Sequence, residues 1–127
     1  MFDNLWVEKY RPATLDDIKL PPAVYTKFSE YGSDRSFPNL MFVGVAGIGK
    51  TSLAKITVNS ILKSQYLYIN ASDENGIDTI RNKVTRFAQI KSMDGHVKII
   101  ILDEVDGLTV DAQRALRNTM EEYSKHC

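Results

Sequence analysis

The apolar residues of this chain alternate between a strand-like and a helix-like pattern. Short apolar runs occupy 40–43 (LMFV), 66–70 (YLYIN) and 97–102 (VKIIIL), and each predicts a buried strand. Elsewhere apolar residues recur three and four positions apart, which predicts helices over about 50–63, 77–88 and 112–123. Because strand and helix alternate three times, the pattern predicts an α/β domain with a parallel sheet flanked by helices.

The first third of the chain has a different pattern. Residues 1–12 mix aromatic and charged side chains at no clear period, which predicts an extended arm. Thr14 and Asp17 stand at capping-box spacing, and the proline pair 21–22 opens a helix that we expect to end at Gly32. Residues 33–39 then form a predicted loop. The buried positions expected on this helix are Val24, Phe28 and Tyr31.

Length and charge narrow the class of protein. A chain of 127 residues fits one domain, and 16 basic residues balance 16 acidic ones, so there is no global attraction to nucleic acid. No apolar run is long enough to span a membrane, and Asp3 lies where a signal peptide would be basic. With the single cysteine Cys127, we expect a cytoplasmic protein, or a nuclear one in a eukaryote, or one in the host cytoplasm if phage-encoded. His96 and His126 have no companions at ligand spacing, so we expect no structural zinc.

Residues 44–51 (GVAGIGKT) match the phosphate-loop pattern G-x-x-x-x-G-K-[ST], between an apolar run and a predicted helix. Glycines let successive backbone N–H groups approach one anion. Lys50 would neutralise β- and γ-phosphate charge, and the Thr51 hydroxyl would bind Mg²⁺. The alternative is a glycine turn without a ligand, which does not explain a lysine followed by a threonine. The residues expected around the phosphates are Gly44, Val45, Ala46, Gly47, Ile48, Gly49, Lys50, Thr51 and Ser52.

Two acids end the third predicted strand, within 101–106 (ILDEVD). The carboxyl ends of parallel strands form the side of the sheet where α/β folds bind ligands. We therefore expect Asp103 to hold Mg²⁺, directly or through water, and Glu104 to polarise a water for attack on the γ-phosphate. The alternative is a solvated acidic turn. Adenylate-kinase-like enzymes need arginine-rich lids for which this short chain has no room, so hydrolysis fits better than transfer to a small molecule.

Five stretches follow one another along the chain: 6–12 (WVEKYRP), 44–51, 69–78 (INASDENGID), 103–106 (DEVD) and 111–124 (DAQRALRNTMEEYS). Together they resemble the small subunits of sliding-clamp loaders, which are AAA+ ATPases, as in replication factor C and its T4-type phage counterpart. The resemblance implies an AAA+ domain, partial here, with ATP and Mg²⁺ as cofactors. It also implies a hetero-pentamer of clamp-loader subunits that places a sliding clamp on primer–template DNA. A Holliday-junction motor subunit does not explain the first and third stretches together.

Carried over by position, the resemblance makes residues 1–12 an adenine-side arm and residues 40–127 the P-loop core. An aromatic flap that only covers the core is the alternative for the arm. Asn70 would hold the catalytic Glu104 away until a partner binds, although a plain strand-end asparagine shows the same pattern. The residues that would line the adenine pocket are Val7, Tyr10, Arg11 and Pro12.

The chain departs from this family in three places. Val45, Ala46 and Ile48 replace the family's usual two prolines and threonine, which changes the stiffness of the loop. Asn75 stands where the family usually has a basic residue linked to DNA sensing. The chain stops after Cys127, where the family begins its sensor strand, followed by an arginine that reaches a neighbour, a lid and a collar. We therefore expect open sheet edges and an unstable or self-associating nucleotide-binding core, unless the strands close up directly.

The resemblance also implies DNA contacts from the helices that follow the second and third strands. Arg81, Lys83 and Arg86 lie on the first of these, but at about 100° per residue Lys83 is about 160° and Arg86 about 140° from Arg81, so they form no single stripe. Arg114, on the last helix, shares a face with Arg117. A solvated surface is the alternative for each of these residues.

Two functions remain open at this point. One is the MgATP-binding core of a clamp-loader ATPase. The other is a nucleotide-binding and interaction module that does not turn over ATP by itself.

Overall fold

The computed structural model describes residues 10–34, 37–45, 47–93, 95–125 and 127. The chain divides into two compact units, Met1–Lys63 and Ser64–Cys127. No helix in the described part of the chain is long and apolar enough to cross a membrane.

The first unit is helical where it is regular. It contains a 3-10 turn at Leu15–Asp17, helix α1 at Pro22–Asp34 and helix α2 at Lys50–Ile56, which continues as a π-helical segment at Thr57–Ile61. The predicted helix over 50–63 is therefore confirmed, with a wider final turn than an α-helix has.

The predicted capping interaction at the start of this unit is confirmed. Oδ2 of Asp17 accepts hydrogen bonds from the N–H groups of Thr14 at 3.0 Å and Ala13 at 3.1 Å. These N–H groups, that of Thr14 foremost, lower the pKa of Asp17 because they stabilise the charged carboxylate.

Aromatic side chains form the core of the first unit. The rings of Phe28 and Tyr31, one helical turn apart on α1, meet edge to face with centroids 5.4 Å apart, and the Phe42 ring lies 5.9 Å from that of Phe28. Leu53 of α2 is buried with them, which confirms the predicted apolar stripe of α1. The partly buried residues around this cluster are Leu15, Ile18, Leu20, Val24, Phe37, Phe42 and Ile61.

The prediction that α1 ends at Gly32 is wrong, because the helix continues to Asp34. A Cβ on Gly32 would stand only 2.9 Å from Cγ2 of Ile61. The glycine therefore allows α1 to approach the segment that follows α2, and this packing outweighs the low helix propensity of glycine.

The strand predicted over 40–43 is also absent. The described residues contain two strands, which pair only with each other, and Met41 and Val43 are 80% and 82% exposed. A strand requires a neighbour that pairs with its backbone, and no described segment pairs with 40–43. Only Phe42 of this run packs against the aromatic core.

The second unit contains the predicted parallel sheet. Strand β1 is Tyr66–Asn70 and strand β2 is Ile99–Asp103, in a register that runs from Tyr66 opposite Ile99 to Asn70 opposite Asp103. Each strand has one strand neighbour within the described residues. The carboxyl ends of both strands therefore meet at the same edge.

Helices cover this sheet as the helical period predicted. A continuous run joins α3 (Ile77–Thr79), a π-helical segment (Ile80–Thr85) and α4 (Arg86–Gln89); a 3-10 turn (Val105–Gly107) and helix α5 (Val110–Glu122) follow β2. Thr109 caps α5 by accepting the Ala112 N–H at 3.2 Å. The buried core residues of this unit are Ile69, Ala71, Ile80, Val84, Leu108 and Ala112.

Two details of the second unit differ from the prediction. Strand β2 begins at Ile99 rather than at Val97, whose side chain is 43% exposed. The intervening Lys98 is buried, donates to the carbonyl oxygen of Phe87, and has a pKa lowered by that burial. On α5, the apolar Met120 is 45% exposed, although it belongs to the apolar period that predicted the helix over 112–123.

Candidate nucleotide site

The phosphate loop has the backbone that its sequence predicts. Gly47 and Gly49 adopt φ values of 81° and 97°, which L residues with a Cβ rarely reach. Gly49 stands immediately before α2, and its carbonyl oxygen accepts the Leu53 N–H at 2.9 Å. The loop therefore leads directly into the first turn of a helix, where free N–H groups can meet an anion.

The side chains predicted to act on the phosphates and the metal ion lie in that first turn. Lys50 begins α2, and its ammonium group donates to the carbonyl oxygen of Gly44 at the start of the loop. Thr51 and Ser52 follow and are half-buried. Val45 and Ile48 are exposed, and Ala46 lies outside the described residues.

The predicted adenine-side arm is described only at its end. Tyr10 is 67% exposed, whereas Arg11 and Pro12 are half-buried. Just beyond them, the carbonyl oxygen of Ala13 accepts a hydrogen bond from the Ser60 hydroxyl at 2.7 Å. This bond ties the end of the arm to the helical segment that follows the phosphate loop. Val7 lies outside the described residues.

The predicted acidic pair lies in the second unit, at the carboxyl end of β2. Asp103 is the last residue of the strand and is half-buried. Its Oδ2 accepts a hydrogen bond from the Tyr68 hydroxyl at 2.7 Å, and its Oδ1 accepts the Glu104 N–H at 3.0 Å. Each carboxylate oxygen therefore accepts a hydrogen bond from within the protein.

Glu104 has an unusual backbone. Its φ of 52° and ψ of 46° place it in the left-handed region, and its side chain is exposed. A residue with a Cβ pays about 1–2 kcal/mol for this conformation. The backbone N–H of Glu104 donates to the carboxylate of Asp103, directly before the 3-10 turn.

Asn70, which is predicted to hold Glu104 away until a partner binds, lies opposite Asp103 in the register of the two strands. Its Oδ1 accepts hydrogen bonds from the backbone N–H of Ser72 at 2.9 Å and from the Ser72 hydroxyl at 2.7 Å. Both bonds orient the amide, so that its Nδ2 faces away from Ser72.

The loops after the two strands are joined through their backbones. The Ala71 N–H donates to the carbonyl oxygen of Asp103 at 2.8 Å, and the Thr109 N–H donates to that of Asn75 at 3.0 Å. Between these bonds, Gly107 lies against the Ala71 carbonyl. These contacts therefore hold the segment that contains Asn70 against the segment that contains Glu104.

The structure places the basic residues predicted to contact DNA in different surroundings. Arg81 and Arg114 line one groove of 340 Å³ between the α3–α4 run and α5, together with Asp111 and Asn118. Lys83 instead forms an ion pair with Glu74. Arg86 does not line this groove, which agrees with the angular separation expected from the helical wheel.

Sequence reasoning missed Tyr68 as a neighbour of the acidic pair. Alternation along β1 was a usable signal, because Tyr68 and Asn70 point to the same face of the strand. Finding Asp103 on that face also required the register between β1 and β2. Sequence periodicity alone does not contain this register.

Comparisons with known proteins identify a family and several relatives with similar sequences. The profile of the ATPase family associated with various cellular activities (AAA) matches residues 40–127. Replication factor C small subunits are similar: that of Methanosphaera stadtmanae is 46% identical over 124 residues, covering 94% of this chain and 39% of the relative. That of Saccharolobus solfataricus is 44% identical over 127 residues, covering 96% of this chain and 38% of the relative. This chain thus spans about two fifths of the length of these relatives.

The family profile covers well over half of the chain, from the residues before the phosphate loop through the acidic pair to helix α5. The α/β arrangement of a phosphate loop leading into a helix, with a parallel sheet ending in an acidic pair, is the one that such a P-loop domain requires. The chain therefore belongs to the AAA family of ATPases.

Proposed function

We propose that this chain is the MgATP-binding core of a sliding-clamp-loader small subunit. The observation that carries the proposal is the phosphate loop, with positive φ at Gly47 and Gly49 and with Lys50 and Thr51 opening α2. Similarity to replication factor C small subunits supports the more specific assignment to clamp loading.

Within this proposal, ATP binds through its β- and γ-phosphates to the N–H groups of the loop and to Lys50. The bond from the lysine to the Gly44 carbonyl is exchanged for the phosphates on binding. The end of the arm, from Tyr10 to Pro12, contacts the adenine of the bound ATP, and we assign the same role to Val7.

Magnesium is the metal that suits these residues. The Thr51 hydroxyl and the Asp103 carboxylate are hard oxygen ligands, and Mg²⁺ in nucleotide sites takes one or two such protein groups together with phosphate oxygens. When bound, the ion neutralises charge that develops on the phosphates. Glu104 orients and polarises the attacking water, and Asn70 restrains Glu104 until a partner subunit binds.

The partners follow from the clamp-loader assignment. In the whole protein the core works with other loader subunits, a sliding clamp and primer–template DNA, in the cytoplasm or the nucleus. The DNA backbone contacts Arg81 and Arg114, which share a groove, and Lys83 and Arg86 are further candidates outside its lining. Within the described residues each strand leaves one edge without a strand neighbour, and the chain of 127 residues self-associates through these edges, which light scattering over a range of concentrations would detect.

Nucleotide binding is tested first, by titrating this chain with a fluorescent ATP analogue in the presence of Mg²⁺. Lys50→Ala should weaken binding by about tenfold to a hundredfold, because a charge-assisted contact is lost. Lys55→Ala, which removes a lysine of the same helix outside the loop, should bind as the parent does. Equal affinity of all three chains would contradict the proposal.

Turnover is tested separately, by steady-state ATPase assays with primed DNA and clamp on the parent and on Glu104→Gln. DNA-stimulated hydrolysis that depends on Glu104 supports the ATPase core. Nucleotide binding without turnover in either chain would instead support a binding and interaction module.

A further inference from the structure

Tyr68 lies two register positions along the sheet from the acidic residue that we assign to magnesium. In the parallel register Tyr68 is opposite Ile101, and Asn70 is opposite Asp103. Aligned residues of neighbouring strands point to the same face of a sheet, and so do residues two apart on one strand. Tyr68, Asn70 and Asp103 therefore share one face, and the length of the tyrosine brings its hydroxyl 2.7 Å from Oδ2 of Asp103.

The Asp103 carboxylate accepts another hydrogen bond besides the one from Tyr68. The Glu104 N–H reaches Oδ1 at 3.0 Å, so the two donors approach the carboxylate on different oxygens. Because the two bonds reach different oxygens, they hold the carboxylate in one orientation.

We propose that Tyr68 is a positioning residue for the binding of a divalent cation by Asp103. The inference rests on the proposed MgATP function and deepens it. In this role the phenol does not contact the cation. It holds the Asp103 carboxylate in the orientation that binds the cation, so that the carboxylate need not reorient on binding. Partners of this kind, which orient a ligating carboxylate, commonly change metal affinity by about 10–100-fold.

The test separates the metal from the nucleotide. Free Mg²⁺ is titrated at fixed ATP, and the magnesium midpoint of the ATP-induced increase in thermal stability is measured for the parent, Tyr68→Phe and Tyr66→Phe. Tyr68→Phe removes only the hydroxyl and keeps the ring. Tyr66 stands on the same strand at its exposed end, so Tyr66→Phe is the matched control.

We expect Tyr68→Phe to raise the magnesium midpoint by about tenfold. ATP affinity measured in EDTA should not change, and Tyr66→Phe should behave as the parent. In an Asp103→Asn background, Tyr68→Phe should add no further shift, because its effect passes through the aspartate.

An unchanged midpoint in folded Tyr68→Phe would overturn the inference. So would an equal loss of affinity in EDTA, a further shift in the Asp103→Asn background, or failure of Tyr68→Phe to fold, since each would assign the hydroxyl to general stability. Absence of any magnesium-dependent ATP effect in the parent chain would overturn the proposed function itself, and this outcome is recognised without the variants.

Discussion

Gly107 lies against the backbone carbonyl of Ala71, where a Cβ added to the glycine would stand 3.0 Å from the carbonyl oxygen. It would also stand 3.4 Å from the Cα of Ser72. A side chain at residue 107, in the loop after β2, would therefore require the backbone of the loop after β1 to move by a few tenths of an ångström. Since one loop follows Asn70 and the other contains Glu104, this contact sets the spacing between the two predicted catalytic segments.

Gly107→Ser should therefore destabilise the protein. The neighbouring atoms belong to the backbone and cannot rotate away, so we expect a loss of about 1–3 kcal/mol in the free energy of unfolding, as for overpacking. Denaturant unfolding measures it. Gly76→Ser is the control, because a Cβ there meets nothing within 4 Å and the backbone is extended. If the two variants were equally stable, the close approach would have no energetic role.

Glu104 provides a prediction that reverses the usual ranking of alanine and glycine. At an ordinary position glycine is the less stabilising residue, but at a φ of 52° it avoids the clash of Cβ with the backbone. Glu104→Gly should unfold at a higher denaturant concentration than Glu104→Ala, with a difference of about 1 kcal/mol. Both variants should lose hydrolysis. A more stable alanine variant would show that the left-handed turn is not strained.

The Asp17 carboxylate predicts a dependence of stability on pH. Its pKa is lowered in the folded state by the N–H groups of Thr14 and Ala13, so the folded chain holds fewer protons here than the unfolded chain. The stabilisation is full above the ordinary carboxyl pKa of about 4 and is lost as the pH falls through the folded-state value.

The measurement is the difference in thermal midpoint between the parent and Asp17→Asn, followed from neutral to acid pH. We expect the parent to be more stable at pH 7 and the difference to shrink as the solution becomes acidic. Ser33→Ala, at an exposed position of α1 without a titratable side chain, is the control, and its difference should not change with pH. A constant difference for Asp17→Asn across the pH range would contradict the assignment.

The groove that contains Arg81 and Arg114 predicts how DNA binding responds to salt. If each arginine contacts one phosphate, replacing either by glutamine should reduce the slope of log affinity against log salt by about 1. Arg117→Gln removes an exposed arginine of the same helix outside the groove and should keep the parent slope. Equal slopes for all variants would remove the groove from the DNA interface.

Much of the fold was predictable because its determinants are local. Strand β1 occupies the predicted residues 66–70, and the helices after both strands follow the 3.6-residue period of their apolar side chains. The phosphate loop was predictable for a different reason. Its glycines permit the positive φ values that the backbone shows, and the choice of lysine and threonine reflects phosphate chemistry rather than packing.

The sequence by itself determined the local elements of this protein and the chemistry available at the loop and at the acidic pair. Tertiary structure decided which elements paired: residues 40–43 form no strand, α1 passes through Gly32, and Arg81 joins Arg114 rather than Lys83. It also brought Tyr68 to Asp103. These outcomes depend on strand register and on helix contacts between residues far apart in the chain. The period of the apolar residues does not determine either, because it describes which face of an element a residue occupies and not what lies opposite that face.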